Sequence, residues 1–376
     1  MKKSLIALAV MAAAGAASAQ SSVTLFGIVD ATIAYGRASG PGNDSKTALT
    51  NSGYNSSRLG FRGVEDLGGG MSASFWLEGS LGNDDGTTGQ RIPTTNRSNV
   101  HANDGAGLVF NRRSTVSLSG GWGEVRLGRD YTPSFWNLTV FDPFGTNGVG
   151  TTLTLGGPGG GLGAGANTFV PVGTRGVLVR ASNDIGYFLP ANLGGIYGQI
   201  NFWHGDDAAP VAGERQSDGT GAGLRLGYGA GPFNVAAAWA RTKYDAGDYT
   251  TWNIGGSWDF GVAKAMAQYT RDQKDSPVEI DGRGWLIGAL VPVGAGEIRA
   301  SYSTYKIDFG VGGDDPKARQ VALGYVHNLS KRTAIYTTVA HVRNDNGARV
   351  SLNGAVLGAG NDRNSTGFDL GIRHSF

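Results

Sequence analysis

Histidines, serines and glycine motifs in this sequence do not combine into a catalytic site. No histidine belongs to an H-E-x-x-H pair, no G-x-S-x-G elbow occurs, and the G-x-G-x-x-A matches at 68–73 and 161–166 open no helix after a strand. Without cysteine, neither a disulfide framework nor a cysteine-ligated zinc site can form. The sequence therefore predicts no enzyme, no metal site and no cofactor. The five scattered histidines are His101, His204, His327, His341 and His374.

Charged residues set among alternating apolar residues could act on passing ions instead. Arg58 and Arg62 have the opposite parity to Leu59 and Phe61, and Glu78 follows the same rule in the next apolar stretch. An arginine that faces lipid at mid-membrane costs about 2–4 kcal/mol, so in a membrane strand these side chains should face water. Charges around the narrow point of a pore select the ions that pass.

A second pair of arginines leaves two alternatives open. If Val116 and Leu118 point outward, Arg113 points inward and Arg112 does not. A β-bulge between them would turn Arg112 inward instead.

The composition is that of a folded, charge-poor and glycine-rich chain. Of 376 residues, 40% are hydrophobic, 16% are charged and 64 are glycine. Average globular chains have about 25% charged residues and about 7% glycine. The 8 tryptophans, 13 tyrosines and 15 phenylalanines exclude a disordered chain, and a net charge of +2 is too small for a nucleic-acid-binding protein.

The N-terminus is expected to be a secretory signal peptide, residues 1–19. Lysines at 2–3 precede an uncharged apolar stretch at 5–16, and Ala17-Ser18-Ala19 fits a cleavage site. Residues 20–376 should then form the folded domain. No later stretch offers about 18 consecutive apolar residues, so no transmembrane helix is expected.

The elements that position these residues are predicted to be strands, because the hydrophobic period is two. Phe368, Leu370 and Ile372 alternate with Asp369 and Arg373, which a helix would not give. The predicted strands cover 22–36, 55–66, 71–81, 109–119, 123–130, 176–189, 196–204, 219–229, 233–243, 249–260, 262–272, 283–292, 297–307, 318–328, 333–343 and 365–376.

These sixteen strands predict an all-β fold, a 16-stranded antiparallel transmembrane β-barrel. Short turns such as 67–70 and 230–232 alternate with long polar loops such as 37–54 and 131–175, as in outer-membrane barrels. Every backbone group in lipid must be paired, so a sheet can span only if it closes on itself. A barrel of this size leaves an aqueous lumen rather than a packed core.

A soluble β-sandwich or a β-propeller would also contain many short strands. The sequence lacks the propeller repeat of about 40–50 residues. Aromatic residues cluster near the predicted strand ends, as the aromatic girdles of a membrane barrel require. They are Tyr35, Phe61, Trp76, Phe110, Trp122, Tyr244, Trp252, Trp258, Tyr302 and Phe376.

Motifs along the whole chain resemble those of one protein family. They are VTLFG at 23–27, SRLGFRGVEDLG at 57–68, FWLE at 75–78, FNR at 110–112, LGRDYTP at 127–133, RASNDIGY at 180–187, LSKRT at 329–333 and the final Phe376. In this order they resemble the general porins of Gram-negative bacteria, in particular those of β-proteobacteria.

The resemblance implies a homotrimer in which each barrel has its own pore. It implies that the third external loop, 131–175 here, folds into the lumen and narrows it. It also implies that this channel favours anions.

Residue by residue, the resemblance places constriction arginines at Arg58, Arg112 and Arg180, and carboxylates at Glu78 and Asp142. It therefore favours Arg112 over Arg113. With Arg62 added by parity, the predicted pore-constriction site is Arg58, Arg62, Glu78, Arg112, Asp142 and Arg180.

The predicted function is a water-filled channel for passive diffusion of small hydrophilic solutes and ions across the bacterial outer membrane. Anion preference is expected because arginines outnumber carboxylates at the predicted constriction. Expected partners are two further copies of the chain, outer-membrane lipid and lipopolysaccharide, and the ions and solutes themselves, but no nucleic acid.

Two alternatives remain. A substrate-specific channel for organic anions or sugars would use the aromatic residues of the predicted third loop, Phe135, Trp136, Phe141 and Phe144. An enzyme or adhesin built on a barrel would need a Ser/His/Asp set or paired carboxylates at a rim, which we cannot assemble from this sequence.

Overall fold

The computed structural model describes residues 22–40, 45–88, 107–153, 179–205, 217–354 and 362–376. These ranges contain eighteen strands and a helix, α1 (Pro133–Val140). The strands are β1 (Ser22–Ala38), β2 (Ser45–Asn51), β3 (Arg58–Gly68), β4 (Met71–Gly82), β5 (Thr87–Thr88), β6 (Arg113–Gly120), β7 (Gly123–Tyr131), β8 (Arg180–Phe188), β9 (Ile196–Trp203), β10 (Gly221–Ala230), β11 (Phe233–Thr242), β12 (Asp248–Asp259), β13 (Lys264–Asp275), β14 (Ile280–Val293), β15 (Gly296–Asp308), β16 (Lys317–Asn328), β17 (Thr333–Asp345) and β18 (Ser365–Ser375). The predicted signal peptide, 1–19, lies outside the described residues.

Sixteen wall strands form a closed antiparallel barrel, as predicted. Strand β5 has two residues and is not counted as a wall strand. Strands β2 and β3 pair with successive parts of β1, so these two count as one wall strand. The barrel closes where β1 pairs with β18, from Ile28 opposite Ser375 to Ala38 opposite Ser365. Closure leaves no open sheet edge, which satisfies the requirement that lipid imposes on a spanning sheet.

Side chains alternate between the outer surface and the interior along the strands. In β18, Phe368, Leu370 and Ile372 are exposed on the outer surface, whereas Asp369 is buried. The alternation follows from the two environments, since apolar side chains face lipid and polar ones face the interior. Within the described ranges, none of the helices has both the length and the hydropathy to cross a membrane.

Three elements lie inside predicted loops, namely the two-residue strand β5, the strand β2 and the helix α1. Strand β2 falls within 37–54; its sequence SKTALTN has no clear alternation, and it is held by pairing with β1. Helix α1 falls within 131–175, where Thr132 accepts a hydrogen bond from the Phe135 N–H at 3.3 Å and Pro133 occupies the first turn. An N-cap threonine followed by proline is a helix-start signal, so α1 could have been predicted and β2 could not.

A buried carboxylate holds the break between β2 and β3. Asp30, on β1, accepts hydrogen bonds from the backbone N–H groups of Tyr54 at 2.9 Å and Asn55 at 2.6 Å. Its own N–H donates to the Ser57 hydroxyl at 3.0 Å. These bonds replace the strand ladder at this point and position Tyr54 on the inner side of the wall.

Part of the barrel interior is packed with apolar side chains. Phe144 and Leu153, which follow α1, join wall residues Tyr305, Ile307 and Val342 in one buried cluster. The wall leaves room for them through small residues, namely Ala318, Ala322 and Ala340. The strand count predicted an aqueous lumen without a core, so the expectation was wrong for this part of the interior.

Gly128 in β7 cannot carry a side chain. Its φ is +129°, and a methyl group there would come within 2.0 Å of the Ser114 carbonyl oxygen. We expect Gly128→Ala to destabilise the barrel by about 2 kcal/mol or more, through backbone strain and overpacking. The midpoint of urea unfolding would measure the loss. Gly121→Ala is the matched control, since nothing lies near its added carbon; equal midpoints for the two variants would contradict the argument.

Candidate functional site

The interior contains a cavity of about 1190 Å³ lined by strands and by the segment around α1. Among the described residues, the charged side chains of its lining are seven arginines and three carboxylates, so their formal charge is +4. A surplus of one sign of charge raises the local concentration of ions of the opposite sign in a cleft. The charged residues are Arg58, Arg112, Arg113, Arg126, Arg180, Arg225, Arg299, Glu78, Asp130 and Asp142.

Glu78 is shared between two of the predicted arginines. Its Oε1 lies 2.6 Å from Nε of Arg112 and 3.5 Å from Nη1 of Arg58. The indole N–H of Trp76 donates to its Oε2 at 3.1 Å. One carboxylate thus fixes two guanidinium groups and leaves a surplus of one positive charge.

Arg112 and Arg180 meet at the hydroxyl of Tyr131. Their Nη2 atoms lie 3.2 and 2.9 Å from the Tyr131 oxygen, and Arg180 Nε donates to the Arg112 carbonyl at 2.7 Å. The Arg180 guanidinium also stacks 4.4 Å above the Tyr131 ring centroid. The Tyr131 hydroxyl and the Arg112 carbonyl, which are both neutral, therefore hold the two positive guanidinium groups side by side.

Both members of the uncertain arginine pair reach the cavity. Arg113 is the first residue of β6; it stacks 4.7 Å from the Trp76 ring centroid and lies 3.6 Å from Asp130. Arg112 precedes β6, so the alternation of that strand does not apply to it. The two alternatives were not exclusive.

Arg62 is placed apart from the other predicted site residues. Its guanidinium lies 5.3 Å from the ring centroid of Phe26 and 5.2 Å from that of Trp76, but it is not among the residues that line the cavity. These contacts correct the girdle interpretation of Trp76, which faces inward. Tyr244, also assigned to a girdle, is buried.

Asp142 organises the turn that follows α1. It accepts hydrogen bonds from the backbone N–H groups of Phe144 at 2.9 Å, Thr146 at 3.0 Å and Thr152 at 3.2 Å. Burial raises the pKa of Asp142 to about 6, against the opposing effect of these N–H groups and of Arg299. The residue lines the cavity with its side chain turned into its own segment.

The segment around α1 is attached to the wall at separate points. Asn137 donates to Asn253 at 2.8 Å and accepts from Nε of Arg225 at 2.8 Å. Further along, the Val149 N–H donates to Asp369 at 2.7 Å. The ring of Phe141 lies so close to Gly255 that a methyl group there would meet it at 2.3 Å.

Known proteins are similar in sequence to this chain over its full length. A model of the Gram-negative porin family matches residues 5–347. The chain belongs to the Gram-negative porin family. It is 41% identical to outer membrane porin protein 32 of Delftia acidovorans and 30% identical to an outer membrane porin protein of Bordetella pertussis, each match covering 100% of both chains. The resemblance to β-proteobacterial porins is confirmed.

Solved structures resemble the barrel of this porin as well. An anion-selective porin from Comamonas acidovorans is 36% identical, with a TM-score of 0.76 over 95% of this chain and 100% of that one. OmpT of Vibrio cholerae is 15% identical with a TM-score of 0.61 and supports the fold alone. The protein is therefore a passive channel of the bacterial outer membrane and not an enzyme.

Besides Arg113, the alternative to Arg112, three cavity arginines of this porin were absent from the predicted site. Arg126 forms ion pairs with Glu124 at 2.9 Å and Asp130 at 2.5 Å. Arg225 and Arg299 stack on aromatic rings, at 4.8 Å from the ring centroid of Tyr197 and 4.4 Å from that of Tyr54. Each alternates with outward apolar neighbours, so parity alone could have found them.

Proposed function

We propose that this porin conducts small hydrophilic solutes and ions with a preference for anions, which its arginine cluster sets. The formal charge of +4 among the charged side chains of the cavity carries this proposal. Among the described lining residues, an anion is attracted by seven guanidinium groups, whereas a cation is attracted by three side-chain carboxylates, of which Glu78 and Asp130 lie beside arginines.

We also propose that the third external loop, 131–175, narrows the lumen. Its described part supports this through the attachments of Asn137, Phe141 and Val149 to the wall. The glycine-rich remainder, including 156–165, lies outside the described residues. The proposed constriction residues remain Arg58, Arg62, Glu78, Arg112, Asp142 and Arg180. Of these six, Arg62 is the one that does not line the cavity.

The reversal potential of bilayers in a potassium chloride gradient tests the anion preference. We expect a potential of the sign that chloride permeation produces; a potential of the opposite sign would refute the proposal. The preference should weaken at high salt, because the Debye length falls from about 10 Å at 0.1 M to about 3 Å at 1 M.

Lowering the pH through about 6 is expected to strengthen the anion preference, because Asp142, whose pKa is raised to about 6, becomes neutral there. One elementary charge about 8 Å from an ion in water contributes about 0.5 kcal/mol, so the anion permeability should rise about twofold. Reversal potentials above and below pH 6 measure the step. Asp142→Asn should abolish it; a step that persists in this variant would contradict the assignment.

We further propose that the porin is a homotrimer in contact with outer-membrane lipid and lipopolysaccharide, exported by the signal peptide at 1–19. The exposed apolar outer face of the barrel, with Leu25, Val116 and Ile185 among its residues, supports contact with lipid or with other subunits. Electrophoresis without heating should give a trimer band, and mass spectrometry should give a mature chain that begins at Gln20.

A further inference from the structure

The helix α1 leaves its largest apolar side chain in the cavity. Phe135 and Leu138 are each 7% exposed, but the neighbouring Trp136 is 40% exposed and lines the cavity. Exposing apolar area to water costs about 25 cal/mol per Å², and the helix buries its other large apolar residues. An indole left accessible in a cavity of this size offers a surface to a solute.

A ring stack fixes this surface next to positive charge. The Trp136 and Tyr131 rings stack with centroids 5.4 Å apart and planes 29° apart, and Phe135 packs on Tyr131 at 4.9 Å. Tyr131 is also the residue on which Arg112 and Arg180 converge through its hydroxyl. One aromatic side chain therefore connects the exposed indole to two guanidinium groups.

The guanidinium groups of Arg112 and Arg180 line the cavity, and their Nη1 atoms take no part in the contacts described above. The contacts with Glu78, Tyr131 and the Arg112 carbonyl engage Nε and Nη2 of Arg112 and Arg180. A guanidinium carries five N–H donors and pairs with carboxylates through two of them. Arg58, whose contact with Glu78 is the longer one at 3.5 Å, adds a third positive group.

We propose that the cavity contains a subsite for aromatic carboxylates, in which the Trp136 indole stacks on a planar ring while the arginines beside Tyr131 bind the carboxylate. The inference rests on the proposed anion preference and adds recognition of the ring. An aliphatic anion of equal charge is attracted by the arginines but cannot stack an aromatic ring on Trp136. Aromatic pairing should favour the planar ring about two- to tenfold.

Block of single-channel chloride current by benzoate and by cyclohexanecarboxylate tests the subsite. The two anions have the same charge and similar size, but only benzoate has a flat aromatic ring. We expect benzoate to half-block the current at a concentration about two- to tenfold lower. Equal half-blocking concentrations in the wild-type porin would overturn the proposal without any substitution.

Variants then assign the effect to Trp136. Trp136→Leu should bring the two half-blocking concentrations together, and Trp136→Phe, which keeps a ring, should retain a preference for benzoate. Trp122→Leu is the matched control, because Trp122 is 41% exposed in the turn between β6 and β7 and stacks on Tyr187, away from the cavity lining. A preference for benzoate that survives in Trp136→Leu, or is lost in a folded Trp136→Phe channel, would overturn the assignment.

The two proposals fail separately. If the wild-type porin favours chloride over potassium but is blocked equally well by both carboxylates, it has the arginine-based preference without the aromatic subsite. A porin without anion preference refutes the proposed function, whatever the block experiment gives.

Discussion

Replacing Arg58, Arg112 and Arg180 together with glutamine is expected to lower the chloride-to-potassium permeability ratio at least about tenfold. A charge about 8 Å from an ion in water contributes about 0.5 kcal/mol, with opposite signs for an anion and a cation, so each removed charge changes the ratio about fivefold before screening. The formal charge of the lining side chains would fall from +4 to +1. Reversal potentials in a salt gradient give the ratio directly.

Two arginine variants control for this experiment. Arg343→Gln removes an exposed charge near the end of β17, outside the cavity lining, and should leave the ratio at the wild-type value. Arg62→Gln removes a charge that stacks between Phe26 and Trp76, and we expect a smaller effect than for any of the three lining arginines. A triple variant with an unchanged ratio would show that the arginine cluster does not set selectivity.

Asp142→Ala is expected to raise the single-channel conductance. The substitution leaves the N–H groups of Phe144, Thr146 and Thr152 without their acceptor. An unsatisfied buried donor costs about 1–3 kcal/mol, so the three together cost about 3–9 kcal/mol, enough to loosen the turn after α1. A wider passage conducts more ions at the same voltage. Single-channel recordings measure the conductance.

The control for this variant is an aspartate that supports only a tight turn. Asp66 is exposed and accepts one hydrogen bond, from the Gly68 N–H at 2.8 Å. Asp66→Ala should conduct like the wild type. If Asp142→Ala also conducts like the wild type, the turn after α1 does not limit the passage.

The wall of the barrel was predictable because lipid and water impose opposite demands on neighbouring residues. Strand β4, predicted at 71–81, runs from Met71 to Gly82, and β18, predicted at 365–376, runs from Ser365 to Ser375. Strand β2 escaped prediction because seven residues held mainly by their partner strand show no pattern of their own.

The site was less predictable than the wall, for two reasons. Arg112 lies just before β6 begins, so the alternation of that strand could not place its side chain. The contacts between Asp142 and its three backbone donors depend on the folded turn, which has no sequence period. Arg225 and Arg299 could have been found, because each stands between outward apolar neighbours in its strand. The family motifs do not include them, because neither position lies within one of the matching stretches.

The cavity lining includes no residue of β11–β14, β16 or β17 among those that the structure describes. The buried cluster of Phe144, Tyr305 and Val342 occupies interior space beside several of these strands. One arc of the wall therefore packs against the segment after α1, whereas the strands that carry most of the arginines line the cavity. We expect the proposed path of anions to run along the arginine side of the barrel rather than along its axis.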